Sequence, residues 1–392
     1  MARRQSAAIY FRGTRHKEIY YQGHYHDELW LNGQCLWKKL SGGFPSSVVS
    51  AALSGYGSVG KIGDTVYSLA CTRDRSEGTV TMIMTPWTNG SAGNPISLTI
   101  NSSDYFYPAN RAAGMMIAAR ELYRGTSASN PAIYVSLDGV TFTGYELPTW
   151  SASDYPRPNF APRGNFADLG VIGDKILLPG GRSYSKQFSH FLIDTSDGSS
   201  VSKDSSGSRY SFTYYSGFYN DTYSGALLGH RVSAGYRSSS VLQVTQIDLA
   251  QIASVASDGT LVESTVCTFN DVSDDLTFLH AVNGLYFNRS GQKLYKLDTS
   301  TGVQNVVLTL SGSSDSFVGD VVFNGSKYLL LTWDGSTKAW VGFTSTDGET
   351  WTEDATVADG TSKTASGFGN SIYADSGLYT GGWNDLLVYA AE

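Results

Sequence analysis

The sequence predicts an all-β protein, and three observations carry that prediction. The chain of 392 residues holds 43 glycines and 25 tyrosines, with abundant Ser and Thr. That mixture favours short strands joined by tight turns. No stretch shows the period of an amphipathic helix; the best candidate, "IDLAQIASVA" (247–256), is long enough for one helical turn or two within a loop. Glycine-led pairs of apolar segments also recur along the chain from about Gly42.

The first 40 residues form a region of their own. Ile9-Tyr10-Phe11-Arg12-Gly13, Ile19-Tyr20-Tyr21-Gln22-Gly23 and Leu29-Trp30-Leu31-Asn32-Gly33 repeat at a step of ten residues, and Trp37 follows. Aromatic and aliphatic residues closed by a glycine are strand-and-turn chemistry. A unit of this size is marginal alone in water and needs copies of itself or a partner surface. Residues 1–40 are therefore expected to form a small β-hairpin or meander anchor, for particle attachment or oligomerisation. Its faces would be Ile9, Tyr10, Phe11, Ile19, Tyr20, Tyr21, Leu29, Trp30, Leu31 and Trp37.

Residues 41–392 read as a second domain. Its repeating units are "KIGDTVYSLACT" (61–72), "AAGMMIAAREL" (112–122), "LGVIGDKILLPGG" (169–181), "YSGALLGHRVSAG" (223–235), "LHAVNGLYFN" (279–288), "GDVVFNGSKYLLLTW" (319–333) and "FGNSIYADSGLYTGG" (368–382). Most are followed by a further apolar strand, as in "AIYVSLDG" (132–139) or "KAWVGFTSTDG" (338–348). Seven such units without a helix predict a β-propeller of four-stranded blades. Seven blades are favoured, and six would follow if units three and four, which are hard to separate, belong to one blade. A ring must close, because an open sheet edge invites aggregation. "SSVVSAALSG" (46–55) and "DLLVYAA" (385–391) are expected to share a blade and close it. A pair of β-sandwich domains is the structural alternative.

Charge narrows the function classes. Net charge is −7. Residues 1–40 carry seven Lys/Arg against three Asp/Glu, or +4, which leaves −11 for the remainder. A domain that binds nucleic acid is usually basic where it binds, so nucleic acid is not expected as a partner. Cys35, Cys71 and Cys267 are too scattered for a zinc site or a disulfide framework. The N-terminus lacks a signal-peptide apolar run, and no stretch approaches a membrane span, so neither secretion by that route nor membrane insertion is expected.

Two stretches share a turn pattern, Ser345-Thr346-Asp347-Gly348-Glu349-Thr350-Trp351 and Ser136-Leu137-Asp138-Gly139-Val140-Thr141-Phe142. In each, the Asp can accept backbone N–H bonds, the glycine permits positive φ, and the aromatic residue can fold into the blade. The pattern resembles the Asp-box of sialidase-like and other propellers, with one fewer residue between Asp and Gly. That resemblance implies a structural role for Ser136, Asp138, Gly139, Phe142, Ser345, Asp347, Gly348 and Trp351. Thr195-Ser196-Asp197-Gly198 and Ser257-Asp258-Gly259 are fragments of it without the aromatic residue.

A sialidase centre resembles three arginines converging on a carboxylate, with a Tyr/Glu pair and an Asp acid. Arg111, Arg120, Arg157, Arg163, Arg182, Arg231 and Arg237 are present, but none stands in an Arg-Ile-Pro context. No catalytic residue, cofactor loop or metal pattern is assigned. His24-Tyr25-His26 puts two imidazoles on one face of a strand. His24 and His26 could hold a transition metal only if three chains met on an axis, as in a homotrimer. The proline-braced stretch "PTWSASDYPRPNFAPRGNF" (148–166) offers Trp150, Tyr155 and Phe160 as aromatic faces, with Arg157 and Arg163 as donors. Sugars are held by that combination, so these five residues are the candidate ligand-binding set.

The opening repeats also resemble the N-terminal segments of tail-associated structural proteins of phages and prophages of Gram-positive gut bacteria. Lys17-Glu18-Ile19-Tyr20-Tyr21-Gln22-Gly23 and Glu28 to Gly33 with Leu36-Trp37 carry the resemblance, over about a tenth of the chain. It implies a virion protein of a phage or phage-like particle, made in the host cytoplasm without a signal peptide. Its partners would be other tail or baseplate proteins and a host cell-surface polysaccharide. The expected function is non-enzymatic receptor binding through the propeller loops. The alternatives are a purely structural tail or capsid decoration, and a glycan-cleaving tail spike.

Overall fold

A computed structural model describes six short strands between residues 9 and 38 and the sheets of residues 47–390. Connecting segments are left out, the longest being 121–132, 159–168 and 358–367, and the side chains described lie between residues 57 and 354. The chain is all-β, and "IDLAQIASVA" contributes a single 3₁₀ turn, Leu249–Gln251.

Each ten-residue N-terminal unit is itself an antiparallel hairpin. Ile9–Phe11 pairs with Thr14–His16, Ile19–Tyr21 with His24–His26, and Glu28–Leu31 with Gln34–Lys38. The strands are thus separated by Arg12-Gly13, Gln22-Gly23 and Asn32-Gly33, the dipeptides that close each repeat.

The remaining strands form six sheets, and the sheets form a six-bladed β-propeller. Blade II is Phe106–Pro108, Met116–Arg120, Ile133–Ser136 and Thr143–Tyr145, in that order. Blade III runs through Lys175–Arg182, Gln187–Asp194 and Ser200–Asp204; Arg157–Pro158 and Gly170–Ile172 both pair with its first long strand. Blade IV is Gly207–Ser208, Ser211–Asn220, Leu227–Gly235, Ser238–Ile247 and Glu263–Phe269. Blade V is Leu276–Ala281, Leu285–Arg289, Lys293–Leu297 and Gln304–Thr309. Blade VI is Phe317–Phe323, Tyr328–Asp334, Ala339–Ser345 and Thr352–Val357.

Blade I closes the ring and explains why seven units give six sheets. Ser47–Ile62 pairs with Gly377–Ala390 over residues 47–56 and with Thr65–Asp74 over residues 56–62. One continuous strand therefore belongs to the first unit and the last. Phe368–Ala374 and Gly377–Ala390 become part of the sheet that also holds Thr65–Asp74, Thr79–Thr88 and Ile96–Asn101. The merger falls on units one and seven; units three and four lie in separate blades. The expected pairing of the two chain ends is observed, with Val49 opposite Val388 and Ser47 opposite Ala390.

Between blades lies the core. Leu69, Met82 and Met84 of blade I meet Phe106, Met116 and Ala118 of blade II. Ile117, Ile133 and Val135 of blade II meet Ile176, Leu178 and Phe191 of blade III. Leu177 and Leu192 meet Phe218 and Leu227 of blade IV, whose Leu228 and Val244 meet Phe278 and Phe287 of blade V. Tyr286 and Leu294 then meet Tyr328 and Leu330 of blade VI. Each blade is buried on both faces, which is why its middle strands read as near-continuous apolar runs such as Tyr328-Leu329-Leu330-Leu331. Cys71 sits in the first of these layers, where burial pushes its thiol pKa up.

Candidate functional site: a polar cleft between blades III and IV

Recurrent aspartate turns place the rims of the blades. In blade VI, Asp347 Oδ1 accepts the backbone N–H of Glu349 and Thr350, both at 2.8 Å, and the Ser345 hydroxyl at 2.8 Å. The N–H of Gly348 donates to Ser345 Oγ at 2.8 Å. Blade II repeats the arrangement at Asp138, with Val140 and Thr141 N–H at 2.8 Å and Gly139 N–H on Ser136 Oγ at 3.1 Å. Gly139 and Gly348 have φ of 77° and 73°, as the pattern requires. Those backbone bonds, Thr141's first, hold the Asp138 pKa down to about 2, and Asp347 is lowered by the same cause. Phe142 and Trp351 pack against the layers between blades. The Asp-box-like residues thus behave as fold elements.

The fragment Thr195-Ser196-Asp197-Gly198 belongs to a different turn. In Asp194-Thr195-Ser196-Asp197-Gly198 the organising acid is Asp194: its Oδ1 takes Ser196 N–H at 3.0 Å and Ser196 Oγ at 2.6 Å, and Lys175 Nζ lies 2.5 Å from Oδ2. Asp298-Thr299-Ser300-Thr301-Gly302 and Asp74-Arg75-Ser76-Glu77-Gly78 build the same turn. Glycine four residues after the acid was the legible signal. Ser257 and Asp258 lie outside the described residues, and Gly259 is part of the cleft described next.

Between blades III and IV a cleft of about 190 Å³ is lined by Ser189, His190, Lys203, Asp204, Thr213, Tyr215, Arg231, Thr260, Leu261 and Glu263. Strand pairing builds it. Tyr215 lies opposite Arg231 on neighbouring strands of blade IV, and cross-strand partners share a face. Glu263 opens the edge strand of the same blade. Lys203 lies opposite His190 in blade III. Arg231 Nη1 donates to Glu263 Oε1 at 2.5 Å, and the Tyr215 hydroxyl donates to Glu263 Oε2. Both carboxylate oxygens are thus held. Burial, then the Glu263 charge, raises the Tyr215 pKa, so the phenol keeps its proton.

His190 is 2% exposed and fixes the other wall. Its Nε2 lies 2.7 Å from the Gly259 carbonyl, so Nε2 carries the proton, and Nδ1 faces Ser189 Oγ at 3.1 Å. Burial lowers its pKa to about 4, and the ring is neutral at physiological pH. It packs edge-on against Tyr215 and Phe218. Lys203 Nζ donates to Thr260 Oγ1 at 2.6 Å. The lining charges cancel: Lys203 and Arg231 against Asp204 and Glu263. Donors and acceptors are interleaved over an apolar floor of Tyr215 and Leu261. That chemistry suits a hydroxyl-rich ligand with faces both polar and apolar.

Of the sequence-predicted ligand set, Arg157 is placed only as backbone, in Arg157–Pro158 paired with Arg182 and Gly181. Trp150, Tyr155, Phe160 and Arg163 lie outside the described residues. The anchor residues are placed as strand backbone only, as are His24 and His26. Arg231, counted among the scattered arginines, is brought into the cleft. Tyr215, Glu263, Lys203, His190 and Thr260 had no signal in linear spacing, since they come from five strands and turns. Among the described residues no group of three or more His, Cys, Asp or Glu could hold a metal ion, and no helix is long and apolar enough to cross a membrane.

No family model and no curated protein matches the chain. Among solved structures it is similar to "YCF48 bound to D1 peptide", at 12% identity over 89% of this chain and 100% of that one, with a TM-score of 0.50. A puromycin-hydrolysing peptidase of Mycobacterium tuberculosis is 11% identical over 84% of this chain and 49% of that one, with a TM-score of 0.47. A sialidase of Trypanosoma rangeli, solved with the inhibitor DANA, is 9% identical over 86% and 55%, with a TM-score of 0.44. Likeness at this identity shows the fold alone. The chain is a β-propeller protein.

Proposed function

We propose that this chain is a non-enzymatic virion protein of a phage or phage-like particle, attached through its N-terminal hairpins and binding a host-surface polysaccharide through the propeller. The single observation that carries the binding half is the cleft between blades III and IV. It is rigidly built, charge-balanced and lined by alternating donors and acceptors beside an aromatic ring. Its volume corresponds to roughly six waters of liquid, the scale of one sugar unit rather than a long chain. Weak single-site binding is amplified when many copies share a particle.

The attachment half rests on the three hairpins, each too small to be stable alone. Their partners would be tail or baseplate proteins, or sister chains, assembled in the cytoplasm of the producing cell. The test incubates the full chain with intact host-range cells and their extracted wall polysaccharide, with reducing-sugar release followed in the same tubes. Binding without release is expected, weakened by Glu263→Gln. Release would establish the glycan-cleaving spike, and neither binding nor release would establish a structural decoration. Particles from cells producing a chain without residues 1–40 should lack the protein.

A further inference from the structure

Each blade ends in an outer strand, and one of these edges differs from the rest. Gln304–Thr309, the last strand of blade V, pairs only with Lys293–Leu297 among the described strands. It contains no charged residue, and its first three residues, Gln304, Asn305 and Val306, are all exposed. Val306 is 50% exposed, and Val303, in the turn before it, 51%. We propose that this edge docks the first N-terminal hairpin, Ile9–His16, of a second copy of the chain by strand addition. The inference deepens the attachment half of the reading above, in which the hairpins seek tail proteins or sister chains, and rests on it for the particle context.

The other outer strands carry the usual defences of a sheet edge, which are charge, shortness and cover. Ser200–Asp204 has Lys203 and Asp204, Glu263–Phe269 has Glu263, and Thr352–Val357 has Glu353 and Asp354. Thr143–Tyr145 is only three residues long. Ile96–Asn101 packs Ile96, Leu98 and Ile100 on the layer between blades I and II and leaves Ser97, Thr99 and Asn101 exposed. The blade V edge has neither charge nor cover over Gln304–Val306, and it is held in place. Gly302 abuts blade IV, where an added Cβ would lie 2.6 Å from the Val266 carbonyl oxygen. Asp298 N–H donates to the Val303 carbonyl at 2.9 Å, and Gln304 Nε2 donates to Cys267 Sγ at 3.3 Å.

Length, charge and direction select the occupant. The edge keeps one register from Gln304 to Val306, opposite Leu297 to Tyr295, and a bulge at Val307 ends that run. Ile9–Phe11 and Thr14–His16 are also three residues each. They form a sheet of two strands, marginal alone in water, which a third strand would stabilise. Residues 298–309 hold Asp298 and no Lys, Arg or His, whereas residues 9–17 hold Arg12, Arg15 and Lys17 and no acid. On the neighbouring strand, Lys296 is buried, and Lys293 lies opposite Thr309 at the far end. Antiparallel order puts the turns after the first and third strands of each blade on one face of the ring, and Gly114 N–H to the Lys61 carbonyl at 2.7 Å joins two of them. Ile62 leads into such a turn, as Val303 ends one, while Ser47 begins the same 16-residue strand at its other end. That strand spans roughly 50 Å. The hairpins of one copy therefore leave away from Val303 and point toward a neighbour, giving a head-to-tail contact.

The test is sedimentation velocity on the full chain over a wide concentration range, at low and high salt. The chain should associate with rising concentration, less so at high salt. Val306→Lys should weaken association at least about tenfold and leave the urea midpoint unchanged, because the position is exposed. Val303→Lys gives the same reading at a second exposed position. The double variant Arg12→Glu/Arg15→Glu should be equally weak. Mixed, Val306→Lys and the arginine variant should form a one-to-one pair, since each keeps the half that the other has lost. A chain that stays monomeric at low salt overturns the proposal. Association lost only in the arginine variant would mean that hairpins pair with hairpins, and association lost only in the valine variants would mean that edge pairs with edge; either overturns it. A one-to-one pair from a chain whose particles keep it without residues 1–40 would sink the particle-anchor reading and leave this contact standing.

Discussion

The two clefts are made in the same way and end with different chemistry. Each lies where the last strand of one blade meets the face of the next. Between blades III and IV, two cations face two anions and a neutral buried histidine; between blades V and VI, a cleft of about 200 Å³ sets Asp334 and Glu353 among the hydroxyls of Thr309, Ser311 and Thr332 and the apolar Val341 and Phe343. The propeller therefore supplies the hollow, and a few side chains set at cross-strand positions supply its charge. The surroundings differ too. At the V/VI boundary, the Asp-box-like turn is docked on its neighbour: the Tyr286 hydroxyl donates to the Gly348 carbonyl at 2.9 Å, and Lys296 Nζ reaches the Asp347 carbonyl at 3.3 Å. In blade III the corresponding glycine, Gly198, has open space around it.

That contrast can be broken by substitution. Gly348→Ala should have the largest effect, about 3 kcal/mol lost in urea denaturation. A Cβ there would lie 2.3 Å from the Tyr286 hydroxyl, at a backbone φ of 73°. A loss below about 1 kcal/mol would mean that the turn is not held against blade V.

Acid should next act on the cleft between blades III and IV, because His190 lines it. The pKa of His190 is about 4 when folded, against 6.5 unperturbed. The unfolded chain therefore binds more protons between those values. Stability from this group is complete above about pH 6.5 and falls as pH drops toward about 4, by on the order of 2–3 kcal/mol. His190→Gln should flatten part of that slope, measured as the urea midpoint at pH 7 and pH 4.5. His230, lowered by burial to about 3, acts in the same direction. An unchanged slope would remove His190 from the account.

Glu263→Gln should cost about 2 kcal/mol, since Arg231 and Tyr215 keep their positions and lose the charge between them. A variant equally stable, with intact polysaccharide binding, would show that this carboxylate organises nothing. The smallest expected effect is Gly198→Ala. Its φ of 77° is strained for alanine, but no atom lies within 4 Å of the added Cβ. About 1 kcal/mol is expected, a third of the Gly348 effect, from paired denaturation curves.

Much of the fold was legible because its signals are local. Gly63, Gly173 and Gly284 close hairpins at the Gly-Asp and Asn-Gly pairs that marked the units, with positive φ at each. Ser345 and Asp347 organise only residues within three positions of themselves, so their turn could be read from seven letters. The blade count was not local. It depends on how far Ser47–Ile62 extends and which partner each half takes. The clefts were illegible for the same reason: His190 and Gly259 are 69 positions apart, and Tyr215 and Glu263 are 48.

By itself, then, the sequence determined the all-β class, the turn chemistry, the N-terminal hairpin repeat and the pairing of the chain ends. The first three follow from backbone preferences and two-residue periodicity, which act over a few positions; the last follows from the need of a propeller to close its ring. Only the tertiary structure decided that the last unit fuses with the first, so that seven units give six blades, and that Arg231 meets Tyr215 and Glu263. Those contacts depend on strand register and on the packing of one blade against the next. Both arise from the burial of apolar faces between sheets, and no short window of residues contains that information.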